Sequence, residues 1–153
     1  MEKNYLYRIE DFEFIEGVFE LCRKYQDKGY LIIIVTNQSG IARGYYSEDD
    51  FSDLTRWMVD VFAREGISIT DVYHCPHHPD ISGPCSCRKP EPGMLLKAAE
   101  EHHIDMKNSL LVGDSERDIL AAHRAGVRES YLFSKEAIKS EANKIIKDLK
   151  ELL

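Results

Sequence analysis

The sequence predicts a three-layer α/β fold around a parallel sheet, and three observations carry that prediction. Short apolar runs alternate with amphipathic stretches along the chain, the alternation that joins parallel strands through helical crossovers. Two of the runs, LIIIVT (31–36) and SLLVGD (109–114), are apolar at consecutive positions, as strands covered on both faces are. Gly29 and Gly126 stand where helices would stop.

The elements follow in order. Ile15, Val18, Phe19, Cys22 and Tyr25 recur at helical spacing and predict a helix over 15–28, with Cys22 on its apolar face as a core residue. The strand at 31–36 comes next, then a loop, NQSGIARG. Ser47 with Asp50 resembles a capping box, opening a helix through Phe51, Leu54, Met58, Val61 and Phe62. ISITDVYH (67–74) reads as a second strand. EPGMLLKAAEEHH (91–103) reads as a helix with Pro92 in its first turn. The strand at 109–114, a helix over 115–126 and a strand at RESYLF (128–133) complete the pattern. From Lys135 onward, Ile138, Ile145, Leu149 and Leu152 predict an amphipathic closing helix. The reading gives one domain over 1–153 and no linker. It also begins on a helix, where such folds usually begin on a strand.

Bulk properties narrow the function. A chain of 153 residues can bury a real core. The longest apolar run, 31–35, is far too short to span a bilayer, and nothing at the start reads as a signal peptide, so a cytoplasmic protein is expected. The net charge of −7, without a basic stripe, argues against a nucleic-acid partner but leaves room for a phosphorylated small molecule.

The segment YHCPHHPDISGPCSCRKPEPG (73–93) holds the strongest local signal. Cys75-x-His77 and Cys85-x-Cys87 are two short pairs joined by a flexible loop, a Cys₃His set suited to tetrahedral Zn²⁺ in a loop over 75–87. His78 is the rival fourth ligand. A disulfide is the rival chemistry, and a reducing cytoplasm disfavours it. Four protein ligands leave no open position, so the metal would be structural.

Thr36 ends a buried strand and precedes Asn37, Gln38, Ser39 and Gly40, a hydroxyl and successive N–H groups able to hold an anion. Asp114 ends another strand, with Asp118 one turn later. Asp114 there suits Mg²⁺. Asp118 either supports that ion or is a helix N-terminal charge. Lys89 follows the cysteine loop. In a doubly wound sheet such strand ends meet at one crevice.

Taken together, TNQSGIARG, CPHHP, CxCRKPxPGM and VGDSERD, in that order, resemble the haloacid-dehalogenase-type phosphatases, in the zinc-loop branch acting on heptose bisphosphates and histidinol phosphate. The likeness runs from about Glu2 to Phe133 and leans toward the heptose bisphosphate enzymes. It implies a Rossmann-like fold and Mg²⁺-dependent hydrolysis of a sugar phosphate monoester. It further implies that Thr36 stabilises the transferring phosphoryl group, Lys89 neutralises it, and Asp114 binds Mg²⁺. Substrate contacts would come from Thr36, Asn37, Gln38, Ser39, Arg88 and Lys89, and from Glu2 and Tyr5. Lys89 is expected to be partly solvated. At Ser115 the heptose enzymes are expected to carry lysine.

One family feature is absent from these residues. The Asp-x-Asp motif, which supplies the nucleophile and the general acid and base, occurs nowhere in the 153 residues. The expectation is a chain that lacks the opening central strand, through a misassigned start or a real truncation, and is inactive as written. The alternative is a non-catalytic, zinc-stabilised module that binds phosphorylated sugars. Buried strand edges left facing each other would have to close up, accept residues 4–9 (NYLYRI), or pair with a second chain, so poor solubility, low stability or dimerisation is expected where full-length relatives would be monomers.

Overall fold

The structure, a computed structural model, describes residues 13–153. Glu2, Tyr5 and the candidate strand at 4–9 lie outside the described residues. The chain divides into two compact units, one running to Gly83 and taking in Leu152 and Leu153, the other spanning Pro84–Glu151.

The first unit holds α1 (Val18–Asp27), β1 (Ile32–Asn37), α2 (Glu48–Arg64) and β2 (Ile69–Cys75). β1 and β2 pair in parallel, with Thr36 opposite His74 and Asn37 opposite Cys75. The predicted capping box is present: Ser47 Oγ accepts the Asp50 N–H at 3.0 Å, and an Asp50 carboxylate oxygen accepts the Ser47 N–H at 2.9 Å. Gly29 follows the end of α1 with φ of 91°, a conformation that favours glycine. Core packing rests on aromatic rings. Phe62 lies 5.6 Å from Phe14 and 5.3 Å from Phe19, both edge-on, and Phe14 also meets Trp57 at 5.7 Å. Gln26 on α1 ties down the turn after α2, donating to the Gly66 carbonyl and accepting the Ser68 N–H.

The second unit holds α3 (Gly93–His102), β3 (Leu110–Gly113), α4 (Glu116–Ala125), β4 (Glu129–Phe133) and β5 (Lys144–Ile146). Its sheet runs β3–β4–β5, parallel throughout. Ile119, Leu132 and Ile146 are fully buried and form its centre. Pro92 stands one position ahead of the expected first turn, as the residue before α3. α4 opens on a second capping box, Ser115 with Asp118, and closes on Gly126 at φ of 82°.

The tail corrects the sequence reading. No closing helix runs from Lys135 through Ile138, Ile145, Leu149 and Leu152; instead Lys144–Ile146 forms β5, and Leu149–Leu152 a short 3₁₀ turn. The physical reason is the open edge of β4. Its buried backbone groups need partners, and the tail supplies them: Asn143 N–H donates to the Ser130 carbonyl at 2.8 Å, and Ser134 N–H to the Ile146 carbonyl at 2.9 Å. The Asn143 side chain accepts the Ser130 N–H at 2.8 Å. Tertiary pairing overrides a helical period that is real in the sequence.

Candidate active site and metal loop

In the first unit the candidate anion-binding turn grows out of β1. Gln38 N–H donates to the Cys75 carbonyl at 2.7 Å, and Ala42 N–H to the Pro76 carbonyl at 3.2 Å, so the loop after β1 is stitched to the end of β2. Gln38 Nε2 donates to Thr36 Oγ1 at 2.9 Å, and the buried Tyr46 hydroxyl donates to Gln38 Oε1. Thr36 and Asn37 are the last two residues of β1, and Gln38 and Ser39 open the loop that follows it.

His77 and His78 separate cleanly. His77 Nδ1 lies 3.5 Å from Cys75 Sγ. His78 is buried in the loop: Nε2 is 2.6 Å from an Arg43 guanidinium nitrogen, Nδ1 receives the Asp80 N–H at 3.1 Å, and its backbone brackets Ser82. His78 is therefore a scaffold for the loop, and His77 is the ligand candidate.

In the second unit Cys85 and Cys87 bring their sulfurs to 3.7 Å. Each unit brings one short pair of donors together, Cys75 with His77 in the first and Cys85 with Cys87 in the second. The fit to zinc is testable from the spacing within each pair. With Zn–S of ~2.3 Å and Zn–N of about 2.0–2.1 Å, a tetrahedral site has S···S edges near ~3.8 Å and S···N edges near ~3.5 Å. The Cys85–Cys87 and Cys75–His77 spacings match those edges. The donor set fits the metal.

Lys89 and Asp118 form the central ion pair of this unit, Nζ to Oδ1 at 2.5 Å, with side chains only 12% and 9% exposed. The lysine is thus a mostly buried partner rather than the partly solvated group expected. Asp118 uses its other oxygen to accept the N–H groups of Asp114 and Ser115, both at 3.1 Å. Both carboxylate oxygens are therefore engaged by this chain. Asp114, at the end of β3, is exposed. Two glycines make room. A Cβ on Gly113 would lie 2.4 Å from Asp118 Cβ, and one on Gly93 would lie 2.2 Å from the Ser86 carbonyl oxygen. Arg88 Nε is buried with no hydrogen-bond partner among the described residues. Such a buried donor points to a ligand atom that completes it.

Sequence reasoning missed Tyr46 and Gly113. The signal for Gly113 was available, a glycine inside an apolar strand just before an acidic helix start. Tyr46 gave none beyond its place next to a capping serine. Cys22 is half-buried rather than part of the core, and burial still pushes its thiol up to about 11.

Comparison with known proteins shows the family to which the chain belongs. Residues 86–152 match the family model described as "HAD-hyrolase-like". The whole chain is 48% identical over 153 residues to a D-glycero-alpha-D-manno-heptose-1,7-bisphosphate 7-phosphatase of Campylobacter jejuni subsp. jejuni, covering 87% of that protein. It is 40% identical to a D-glycero-beta-D-manno-heptose-1,7-bisphosphate 7-phosphatase of Pasteurella multocida, over 99% of the chain and 88% of the relative. Among solved structures it resembles D,D-heptose 1.7-bisphosphate phosphatase from B. bronchiseptica complexed with magnesium and phosphate, at TM-score 0.83 and 26% identity, over 97% of the chain and 86% of that one. A putative HAD-like phosphatase from Mesorhizobium loti matches at TM-score 0.87 and 28% identity, over 99% of the chain and 78% of that one.

Proposed function

Because the chain belongs to the haloacid-dehalogenase-like heptose bisphosphate phosphatases, and so to the phosphoric monoester hydrolases, we propose that its substrate is the 7-phosphate of D-glycero-D-manno-heptose 1,7-bisphosphate. The observation that carries this reading is 48% identity, along the whole chain, to a relative of that name.

In this reading the Thr36 hydroxyl donates to a phosphoryl oxygen, and residues 37–39 beside it contact substrate. The Lys89 ammonium, held in place by Asp118, neutralises phosphoryl charge. Donors fixed in this way act most strongly on the charge of the transition state, with each worth about 10²–10³ in rate. Arg88 contributes substrate recognition, in keeping with its uncompleted Nε. Asp114 is the carboxylate for Mg²⁺, which when bound offsets negative charge on the phosphoryl oxygens. Asp118 serves by orienting Lys89 and the 114–115 backbone. Cys75, His77, Cys85 and Cys87 hold a structural Zn²⁺.

The 153 residues contain no Asp-x-Asp. That observation favours a second reading beside the first, in which these residues bind the phosphorylated sugar and turnover awaits an added carboxylate nucleophile. The site of action is the cytoplasm. Among the described residues no helix is long and apolar enough to cross a membrane, and the charge of −7 suits no nucleic acid.

The test supplies the chain with an N-terminal strand ending in Asp-x-Asp and compares phosphate release from heptose 1,7-bisphosphate with release from histidinol phosphate. Preference for the heptose is expected. Preference for histidinol phosphate would overturn the substrate assignment.

A further inference from the structure

We propose that Tyr46 is a positioning residue, which through Gln38 fixes the Thr36 hydroxyl as a donor toward the phosphoryl group. The inference rests on the reading of Thr36 as a phosphoryl contact and adds how its proton is aimed.

A glutamine amide can face a neighbour with either end, and only its surroundings decide which. In the arrangement found, the buried Tyr46 phenol donates to Gln38 Oε1, and Nε2 at the other end of the amide donates to Thr36 Oγ1 at 2.9 Å. Were the amide reversed, Oε1 would face Thr36 Oγ1 and capture its proton, leaving no donor for a ligand. With the amide as found, Oγ1 already accepts a hydrogen bond, and its proton must go elsewhere. The internal alternative is weak: Thr36 Oγ1 to the Asn37 carbonyl is 3.3 Å, beyond the roughly 2.5–3.0 Å of a good O–H···O bond. A phosphate oxygen at the turn is the better acceptor. The three groups then form a line of donors running one way, phenol to amide to hydroxyl to phosphate, each polarising the next.

Both ends of the line are anchored. Gln38 N–H is held by the Cys75 carbonyl at 2.7 Å. Tyr46 immediately precedes Ser47, whose capping box fixes the start of α2. The phenol therefore cannot swing without breaking the helix start.

A double-mutant cycle with inorganic phosphate and Mg²⁺, read by titration calorimetry on the full chain, tests the idea. Tyr46→Phe keeps the ring and removes the donor; it should weaken phosphate binding about three- to tenfold. In a Thr36→Val background the same change should cost nothing further, because no hydroxyl remains to be aimed. Gln38→Met, which keeps the shape without the amide, should likewise abolish the effect of Tyr46→Phe, and it serves if the tyrosine variant alone folds poorly. Equal weakening with the threonine present and in the Thr36→Val background, or none in either, would overturn the relay and leave Tyr46 a packing residue. If Thr36→Val itself left phosphate affinity unchanged, the phosphoryl reading of Thr36 would fall instead.

Discussion

Lys89 and Asp118 can be buried only because each neutralises the other. Removing one partner of such a pair typically costs about 3–5 kcal/mol, because the charge left behind has no water to turn to. Lys89→Ala should therefore lower the melting temperature clearly as well as weaken phosphate binding, and thermal denaturation reads the first effect. A melting point unchanged by the substitution would mean that water reaches Asp118. Gly113→Ala attacks the same pair from below. Its new methyl would meet Asp118 Cβ at 2.4 Å, so the carboxylate must move, at a cost on the order of 1–3 kcal/mol. The sequence announced the acid and the base at this site but not their contact, since nothing in the spacing of residues 89 and 118 encodes a 2.5 Å approach. Cys22 is the counter-example. Its helical spacing alone marked it for burial, which is partial, and its raised pKa should make it slow to react with thiol reagents near neutral pH.

Elements were legible where local signals and packing agreed. Ser47 with Asp50, the β-branched run of β1 and Gly126 each named their element correctly, because capping chemistry and strand propensity act within a few residues, although β1 is half-buried along its length rather than covered on both faces. The tail was not legible, because its structure is imposed by the edge of β4, whose pairing needs lie outside the tail's own sequence. Two measurements check β5 and the turn that follows it. Ile146 is fully buried, so Ile146→Ala should destabilise the protein by about 2–5 kcal/mol, whereas a residue on a peripheral helix would cost far less. The turn after β5 is pH-dependent. Glu151 accepts the N–H groups of Lys147 and Asp148, which hold its carboxyl below the usual value of 4.5. A depressed carboxyl pKa adds stability above the unfolded-state value, and that contribution is lost as pH falls through the lower folded-state value. Protection of the amides at residues 147–152, relative to intrinsic exchange, should therefore fall as pH drops below that usual value, and protection constant over that fall would contradict the assignment. In the 75–87 loop, protein purified under reducing conditions should carry one zinc per chain, and chelation should loosen residues 75–90 first. No zinc by elemental analysis would overturn the metal reading of the loop.

For the whole molecule, the parallel α/β pattern was visible in the alternation of runs, and the phosphatase chemistry in four motifs on loops at strand ends. The division into two compact units was not, because the boundary at Gly83 and Pro84 lies inside the metal loop, where composition gives no break. In the proposed reading the site residues bind, orient and neutralise a phosphoryl group, and the 153 positions contain no Asp-x-Asp to supply the attacking carboxylate. The most direct measurement is phosphate release from heptose 1,7-bisphosphate by the 153-residue chain beside the same chain preceded by a strand ending in Asp-x-Asp. The account predicts no turnover from the first and a rate in the ordinary enzymatic range, about 1–10³ s⁻¹, from the second. Turnover in that range by the 153-residue chain, or a silent extended chain that still binds zinc and phosphate, would contradict it.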